Sequence, residues 1–126
     1  MIKGILIDVN KGTSEVKELD GSLQDYYKAI NCDCIDIRTR WIDNEEFSFV
    51  IDDNGLLIDE EKIIPSTVSK KYNEVEFVGN TFICRRKGPD LVSLKESDIE
   101  LINSHIIDIV DFADIKGNNK KLLIID

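Results

Sequence analysis

The stretch CDCIDIRTRWID, residues 32–43, places two thiols and two guanidinium groups on alternate positions. A structural zinc site usually takes four ligands, and the chain supplies one further cysteine, Cys84, and one histidine, His105. A catalytic cysteine needs an imidazole within hydrogen-bond reach, and no local spacing brings His105 to any of the three thiols. We therefore expect Cys84 to pack as a small core residue, and we predict no metal or other cofactor.

The arginines suggest anion binding instead. All four lie in two strand-like segments, residues 38–40 and 85–86, and the planar guanidinium fork suits phosphate and carboxylate groups. If the two segments are neighbouring strands, the arginines form a cationic patch beside which Trp41 or Tyr72 can stack a base. The alternative is a sheet face where the arginines pair with the abundant acidic side chains, among them Asp36. The predicted ligand-binding residues are Arg38, Arg40, Trp41, Arg85, Arg86 and Lys87.

Acidic residues form a third pattern, near the end of the chain. Aspartates recur there at helical spacing, with one glutamate further up. Such a face can imitate nucleic-acid phosphates and occupy the basic groove of a nuclease or another DNA-binding protein, although a run of charge is more often a solvated helix face. The predicted partner-binding residues are Glu100, Asp108, Asp111 and Asp114.

Composition limits the class of partner. The chain has 126 residues, 42% of them hydrophobic, and a formal net charge of -9, which fits one domain but not broad electrostatic binding to nucleic acid or an anionic membrane. No apolar run approaches the ~18 residues of a membrane span, and the N-terminus lacks a signal-peptide pattern. We expect a cytoplasmic protein with reduced thiols that binds a host protein or a small anionic ligand.

The first half of the chain contains signals for two hairpins and a helix. Strands at MIKGILIDV and SEVKEL flank the turn NKGT, and Ser22 is placed to cap a helix over residues 23–31. The apolar period then changes to two, which predicts a hairpin over residues 34–52 with Ile37 and Trp41 among the side chains packed inward.

The second half predicts two strands, a helix and a final strand. Residues 74–78 and 81–86 are typical of a hairpin that turns at the Gly-Asn pair between them. Ser93 and Glu96 are spaced as a capping box, and the apolar residues after them predict one long C-terminal helix lying on the sheet. The terminal LLIID is a short strand, which at a sheet edge would allow pairing into a homodimer.

Together these elements predict an α+β fold in a single domain over residues 1–126. Its centre is a mainly antiparallel sheet of about five to seven strands, with the long C-terminal helix and the short first helix packed on it.

Four segments, ILIDVNKGTSEVKEL, YYKAINCDCIDIRTRWIDNEEFSFVIDDNGLL, VGNTFICRRKG and LVSLKESDIELI, follow one another in an order and spacing that resembles an uncharacterised family catalogued as domain of unknown function 3846. The resemblance covers residues 2–103 and leaves residues 104–126 as an extension, predicted to be helix and strand. It implies a small protein without an assigned activity, of a kind common in phages, plasmids and other mobile elements of Gram-positive bacteria. It carries over no active-site residue.

Three functions fit these patterns. The first is a non-enzymatic accessory protein of a phage or mobile element that binds and inhibits a host defence component through the acidic residues. The second is a binding protein that sequesters a small phosphorylated or nucleotide ligand through the arginines. The third is a metal-dependent or cysteine enzyme, which the lack of a recognisable nucleophile, metal set or phosphate loop disfavours.

Overall fold

The computed structural model describes residues 1–53, 64–110 and 119–126, and these residues form mostly β-strands. Within them, twelve elements follow one another along the chain. They are β1 (Ile2–Asp8), β2 (Thr13–Leu19), α1 (Leu23–Ile30), β3 (Ile35–Ile42), β4 (Glu45–Asp52), β5 (Pro65–Ser69), β6 (Glu74–Val78), β7 (Thr81–Lys87), β8 (Asp90–Val92), α2 (Glu96–Ser104), β9 (Ile106–Val110) and β10 (Asn119–Ile125).

The described strands form two sheets. The six-stranded sheet has the order β2-β1-β7-β4-β3, with β8 paired to β7, and its neighbours are antiparallel. The four-stranded sheet has the order β6-β5-β10-β9, in which β5 and β10 run parallel while the other pairs are antiparallel. In these sheets β3 and β6 are therefore edge strands.

Two apolar clusters hold the layers together. The first lies between the sheets, where Phe49 of β4 packs with Phe77 of β6 and Leu123 of β10, and α2 adds further side chains. The second lies on the other face of the six-stranded sheet, where Ile30 of α1 and Phe82 of β7 are both buried. Burial of an aliphatic or aromatic side chain contributes about 1.5–3 kcal/mol, so the first cluster holds the two sheets together and the second holds α1 on the six-stranded sheet.

Two local predictions, the first helix and the second hairpin, are confirmed. α1 begins after Ser22, whose hydroxyl accepts a hydrogen bond from the Asp25 N–H at 3.2 Å. The β3–β4 hairpin turns at Asp43 and Asn44, whose φ angles of 50° and 68° are left-handed. Asn and Asp adopt this conformation more readily than most residues, which suits a two-residue hairpin turn.

The predicted α+β fold with a long C-terminal helix is wrong. α2 ends at Ser104 after nine residues, and the next residues form β9, in which Ile106 lies opposite Leu123 of β10. The β9 sequence Ile-Ile-Asp-Ile-Val is rich in β-branched residues, which favour a strand. The protein is mostly β, with two short helices in the part that the structure describes.

The start of α2 also differs from the predicted capping box. The helix begins after Lys95, whose backbone N–H donates to the Asp98 carboxylate at 3.0 Å. The Ser93 hydroxyl accepts a hydrogen bond from the Lys3 N–H at 2.9 Å instead, so it joins the helix to β1. Neither α1 nor α2, the helices of the described ranges, is long and apolar enough to cross a membrane.

Strand pairing differs from the prediction at two places. β6 and β7 are consecutive but lie in different sheets, so the Gly-Asn pair is a crossing between sheets and not a hairpin turn. The buried Asn80 amide holds this crossing, since it accepts the Val9 N–H at 3.0 Å and donates to the Ala29 carbonyl oxygen at 3.2 Å. β10 lies between β5 and β9, so it has no free edge for pairing into a homodimer.

β3 exposes side chains that were expected to point inward. Ile37 and Trp41 are 41% and 48% exposed, because β3 is an edge strand and has only β4 beside it in the sheet. Arg40 points to the opposite face, where its guanidinium carbon lies 5.1 Å from the centroid of the Phe77 ring. The edge position of β3 thus leaves one aromatic ring in water and brings one arginine against the core.

Candidate functional site

A cleft opens where the four-stranded sheet meets the edge of the six-stranded sheet. It has a volume of about 470 Å³, within the range of about 300–1,000 Å³ that is typical of small-molecule sites. We call it the cross-sheet cleft, because β3 lies in one sheet while β5 and β6 lie in the other. Its lining residues are Arg40, Trp41, Asn44, Ser69, Lys71, Tyr72, Glu76 and Asp126.

Asp126 connects β3, the turn after it and Ser69 through hydrogen bonds. Its backbone N–H donates to the Trp41 carbonyl oxygen at 3.1 Å, and its carboxylate accepts the N–H groups of Asp43 and Asn44 at 3.0 and 3.1 Å. Its carbonyl oxygen accepts a hydrogen bond from the Ser69 hydroxyl at 3.1 Å. Successive N–H groups in a left-handed turn form an anion-binding concavity, and here Asp126 fills it.

Arg40 forms one wall of the cleft through partly buried contacts. Its Nε donates to Oε1 of Glu76 at 2.5 Å, and its Nη1 donates to the Thr39 carbonyl oxygen at 2.8 Å. The Arg40 and Glu76 side chains are 30% and 18% exposed, so solvent and salt screen this pair less than a fully exposed one. Because the two charges neutralise each other, the pair contributes shape and hydrogen-bonding groups to the cleft but no net charge.

Two exposed aromatic residues and one ammonium group border the cleft. Trp41 is about half exposed and Tyr72 is 65% exposed. The Lys71 ammonium nitrogen lies 5.5 Å from the centroid of the Tyr72 ring, and no carboxylate of the described residues forms an ion pair with it. Exposed rings stack planar groups and an unpaired cation attracts an anion, so the cleft suits a planar anionic ligand.

The four arginines do not converge on one surface. β4 lies between β3 and β7, which places the two arginine-bearing backbones about 10 Å apart. Arg85 on β7 donates to Asp98 of α2 from Nη2 at 2.6 Å and from Nε at 3.2 Å, and its Nη2 also lies 3.0 Å from the Glu45 carboxylate. Its guanidinium sits 4.3 Å from the Phe47 ring centroid, so these contacts hold α2 and β4 on β7.

The other predicted ligand-binding residues do not line the cross-sheet cleft. Arg38 forms an ion pair with Asp36 at 2.5 Å, and the Arg38 side chain is 53% exposed. Arg86 donates to a backbone carbonyl oxygen two residues further on at 2.7 Å, and Lys87 is exposed beside it. Of the six predicted residues, the cleft therefore contains Arg40 and Trp41.

Glu100 and Asp108, which were predicted to share an acidic stripe on one long helix, lie on different elements. Glu100 is exposed on α2, whereas Asp108 lies on β9 and forms an ion pair with Lys121 of β10. Asp111 and Asp114 lie outside the described residues. The helical spacing that grouped Glu100 with Asp108 does not apply, because a helix and a strand present their side chains with different periods.

The thiols and the imidazole lie in separate surroundings. Cys84 is buried and Cys32 is partly buried in the cluster under α1, and burial raises the pKa of Cys84 to about 12. Cys34 is exposed 3.7 Å from an Asp53 carboxylate oxygen; partial desolvation and that carboxylate raise the pKa of Cys34. His105 Nδ1 lies 2.9 Å from a backbone carbonyl oxygen of α2. Raised pKa values oppose the thiolate that a cysteine nucleophile needs.

Metal-binding side chains are not grouped in the part of the chain that the structure describes. In that part, no three His, Cys, Asp or Glu side chains are placed to hold one metal ion. The four ligands of the hypothetical Cys₃His site are divided between the cluster under α1, the start of β3 and the end of α2.

A second groove of about 330 Å³ lies on the outer face of the four-stranded sheet. Val68, Val75 and Ile124 form its floor, and Lys70 and Glu74 also line it. It offers aliphatic contact but no aromatic ring, so it has fewer groups with which to orient a small ligand than the cross-sheet cleft has.

Sequence reasoning found the cross-sheet cleft only in part. It singled out Arg40, Trp41 and, as an alternative ring, Tyr72. The turn Ile-Asp-Asn-Glu is a local signal for the left-handed residues beside the cleft. No local signal indicates that the segment after β5 meets β3, because these strands belong to different sheets. The lining residues that were missed are Asn44, Ser69, Lys71, Glu76 and Asp126.

Comparison with protein families gives one match. A family model described as Domain of unknown function (DUF3846) matches residues 2–107. Neither the curated proteins nor the solved structures include one that matches the chain. The matched range ends within β9 and contains each lining residue of the cross-sheet cleft except Asp126.

Proposed function

We propose that this chain, which belongs to the family described as Domain of unknown function (DUF3846), is a binding protein for a small ligand with a planar ring and an anionic group, as in nucleotides. The cross-sheet cleft is the proposed site. Trp41 and Tyr72 would stack on the ring, and Lys71 would pair with the anionic group. The proposed role is to hold the ligand without converting it.

The observation that carries this proposal is the meeting of Trp41, Tyr72 and Lys71 around one cavity of small-molecule size. Trp41 comes from β3, while the other two follow β5 of the other sheet, so the packing of the two sheets brings them together. Ring surface left in water is unfavourable, and stacking of a base on an aromatic side chain contributes about 1–3 kcal/mol. A planar ligand therefore gains affinity from both rings.

The groups in the cleft favour binding over catalysis. The described residues that line it include no cysteine and no histidine. Ser69 carries the aliphatic hydroxyl of the cleft, and it donates to the Asp126 main-chain oxygen at 3.1 Å while accepting the Tyr72 N–H at 3.3 Å. A serine nucleophile needs an adjacent base that takes its proton, and neither of these two hydrogen bonds joins Ser69 to an imidazole or a side-chain carboxylate.

Sequestration is the biological role that we propose for this binding. The phage or mobile-element setting that the family resemblance implies would suit an accessory protein that lowers the free concentration of a nucleotide signal. The alternative, inhibition of a host defence protein through an acidic surface, stays a prediction, and two of its residues, Glu100 and Asp108, lie on a helix and a strand and not on one helix.

Thermal unfolding with a panel of nucleotides and cyclic nucleotides tests the proposal. A ligand at ~100 times its Kd should raise Tm by about 5–10 °C. The Tyr72→Ala variant should lose most of this rise, because it removes a stacking surface from a side chain that is largely exposed and contributes little to the core. Its own Tm without ligand should stay close to that of the unmodified protein.

Arg38→Ala is the matched control. Arg38 lies on the same strand as Arg40 but does not line the cleft, so this variant should keep the full rise in Tm. A panel without any stabilising ligand, or equal losses in Tyr72→Ala and Arg38→Ala, would count against the proposed function.

A further inference from the structure

The formal side-chain charges around the cross-sheet cleft cancel. Two cations, Arg40 and Lys71, face two carboxylates, Glu76 and Asp126. The Arg40 guanidinium is already paired with Glu76 at 2.5 Å, whereas Lys71 has no ion-pair partner among the described residues. A ligand therefore finds one available cation, Lys71, beside a neutralised pair and the Asp126 carboxylate.

The backbone donors of the cleft are also in use. The N–H groups of Asp43 and Asn44 point in one direction from the left-handed turn, the kind of concavity that holds phosphate groups in other proteins. Here both N–H groups donate to the Asp126 carboxylate, at 3.0 and 3.1 Å. A chain of phosphates would have to displace this carboxylate to reach them.

We infer that the ligand of the cross-sheet cleft carries a single negative charge, as the phosphodiester of a cyclic mononucleotide does, and that the cleft rejects polyphosphates. This inference rests on the proposed function and narrows it to one charge class. One anionic oxygen pair can contact Lys71. Every further negative charge meets the Asp126 carboxylate and the field of a chain whose net charge is -9.

The size of the effect follows from Coulomb's law. Two like charges at ~4 Å in water repel by an amount that lowers affinity about fivefold. Each phosphate charge beyond the first therefore adds a penalty, whereas the base and its stacking on Trp41 and Tyr72 stay the same. Among compounds that share the same base, the order of affinity therefore reports the charge of the cleft.

Calorimetric titration with adenosine, cyclic AMP, AMP and magnesium-free ATP, at one physiological salt concentration, tests the inference. Cyclic AMP should bind most tightly. AMP, a dianion, should bind about fivefold more weakly, and ATP at least about tenfold more weakly. Adenosine should also bind about fivefold more weakly than cyclic AMP, because it leaves Lys71 unpaired.

Two substitutions and one control separate the charge effect from damage to the fold. Lys71→Gln should lower the affinity for cyclic AMP about fivefold, so that cyclic AMP no longer binds more tightly than adenosine. Lys70→Gln is the matched control, since Lys70 lines the groove on the outer sheet face and not the cleft. Glu76→Gln should strengthen AMP binding because it frees the Arg40 guanidinium from its partner, a gain that partial unfolding cannot produce.

The outcomes distinguish this inference from the proposed function. AMP or ATP binding as tightly as cyclic AMP would overturn the single-charge inference and leave the binding function standing. An equal affinity for adenosine and cyclic AMP would overturn the role of Lys71. If neither these four compounds nor the corresponding guanosine and uridine series binds, the proposed function itself fails.

Discussion

Arg40 on β3 and Glu76 on β6 form an ion pair, with 2.5 Å between Nε and Oε1, that joins the edge strands of two different sheets. The Arg40 guanidinium also lies over the Phe77 ring of the core between the sheets. The same pair lines the cross-sheet cleft. Packing of the sheets and the shape of the proposed site are therefore linked through one side chain.

Arg40→Ala should destabilise the protein more than Arg38→Ala. Loss of Arg40 leaves the partly buried Glu76 without its partner and removes a cation–π contact, which together should lower the free energy of unfolding by about 1–2 kcal/mol. Arg38 forms an exposed ion pair, and its loss should cost less than about 0.5 kcal/mol. Urea unfolding of both variants measures the difference, and equal values would show that the pair does not hold the sheets together.

Asp98→Asn should weaken the attachment of α2 to β7. The Asp98 carboxylate is buried and accepts two hydrogen bonds from Arg85 and one from the Lys95 N–H. Loss of these charged hydrogen bonds should lower the free energy of unfolding by about 1.5–3 kcal/mol at neutral pH. Urea unfolding at pH 7 measures this, and Glu96→Gln, at an exposed position of the same helix, is the control that should change little.

The Asp98 carboxyl should also make the free energy of unfolding depend on pH. Hydrogen bonding to Arg85 holds the pKa of Asp98 in the folded state below its ordinary value of 3.8, although burial opposes this. As the pH falls, the unfolded state binds this proton at a higher pH than the folded state does. The contribution of Asp98 to the free energy of unfolding is therefore complete above pH 3.8 and is lost as the pH falls through the lowered pKa. The free energy of unfolding of Asp98→Asn should therefore fall less steeply below that pH, and an unchanged slope would contradict this assignment.

Alkylation of the native protein should reach Cys34 before Cys84. Cys84 is buried and its pKa is raised to about 12, so the native fold offers neither access to this thiol nor its thiolate. Timed treatment with iodoacetamide, with and without urea, followed by peptide mass mapping measures both rates. Equal labelling of the two thiols in the native protein would contradict the burial of Cys84 under α1.

Local signals explain the parts of the fold that could be predicted from the sequence. The Ser22 cap and the period-two alternation of residues 35–52 depend on neighbours a few positions away, so they remain visible in one chain. The left-handed turn at Asp43 and Asn44 is local in the same way. These signals correctly placed α1, β3, β4 and one wall of the cross-sheet cleft.

Long-range pairing explains the parts that could not be predicted. Ile106 fits the apolar spacing of a helix as well as that of a strand, and its pairing with Leu123 of β10 decides between them. The Gly-Asn pair after β6 is typical of a hairpin turn, yet β5 pairs with β6 and leaves β7 to the other sheet. Lys71 was missed for the same reason, because its position beside Trp41 depends on how two sheets pack.

Trp41, the single tryptophan of the chain, allows the most direct test of the cross-sheet cleft. Titration with cyclic AMP should change the fluorescence of Trp41 saturably, with a midpoint equal to the calorimetric Kd, because the base stacks on the indole. In Tyr72→Ala the midpoint should rise at least about fivefold, and in Arg38→Ala it should not move. Calorimetric binding that leaves the Trp41 emission unchanged would show that the ligand binds elsewhere and would contradict the assignment of the cleft as the binding site.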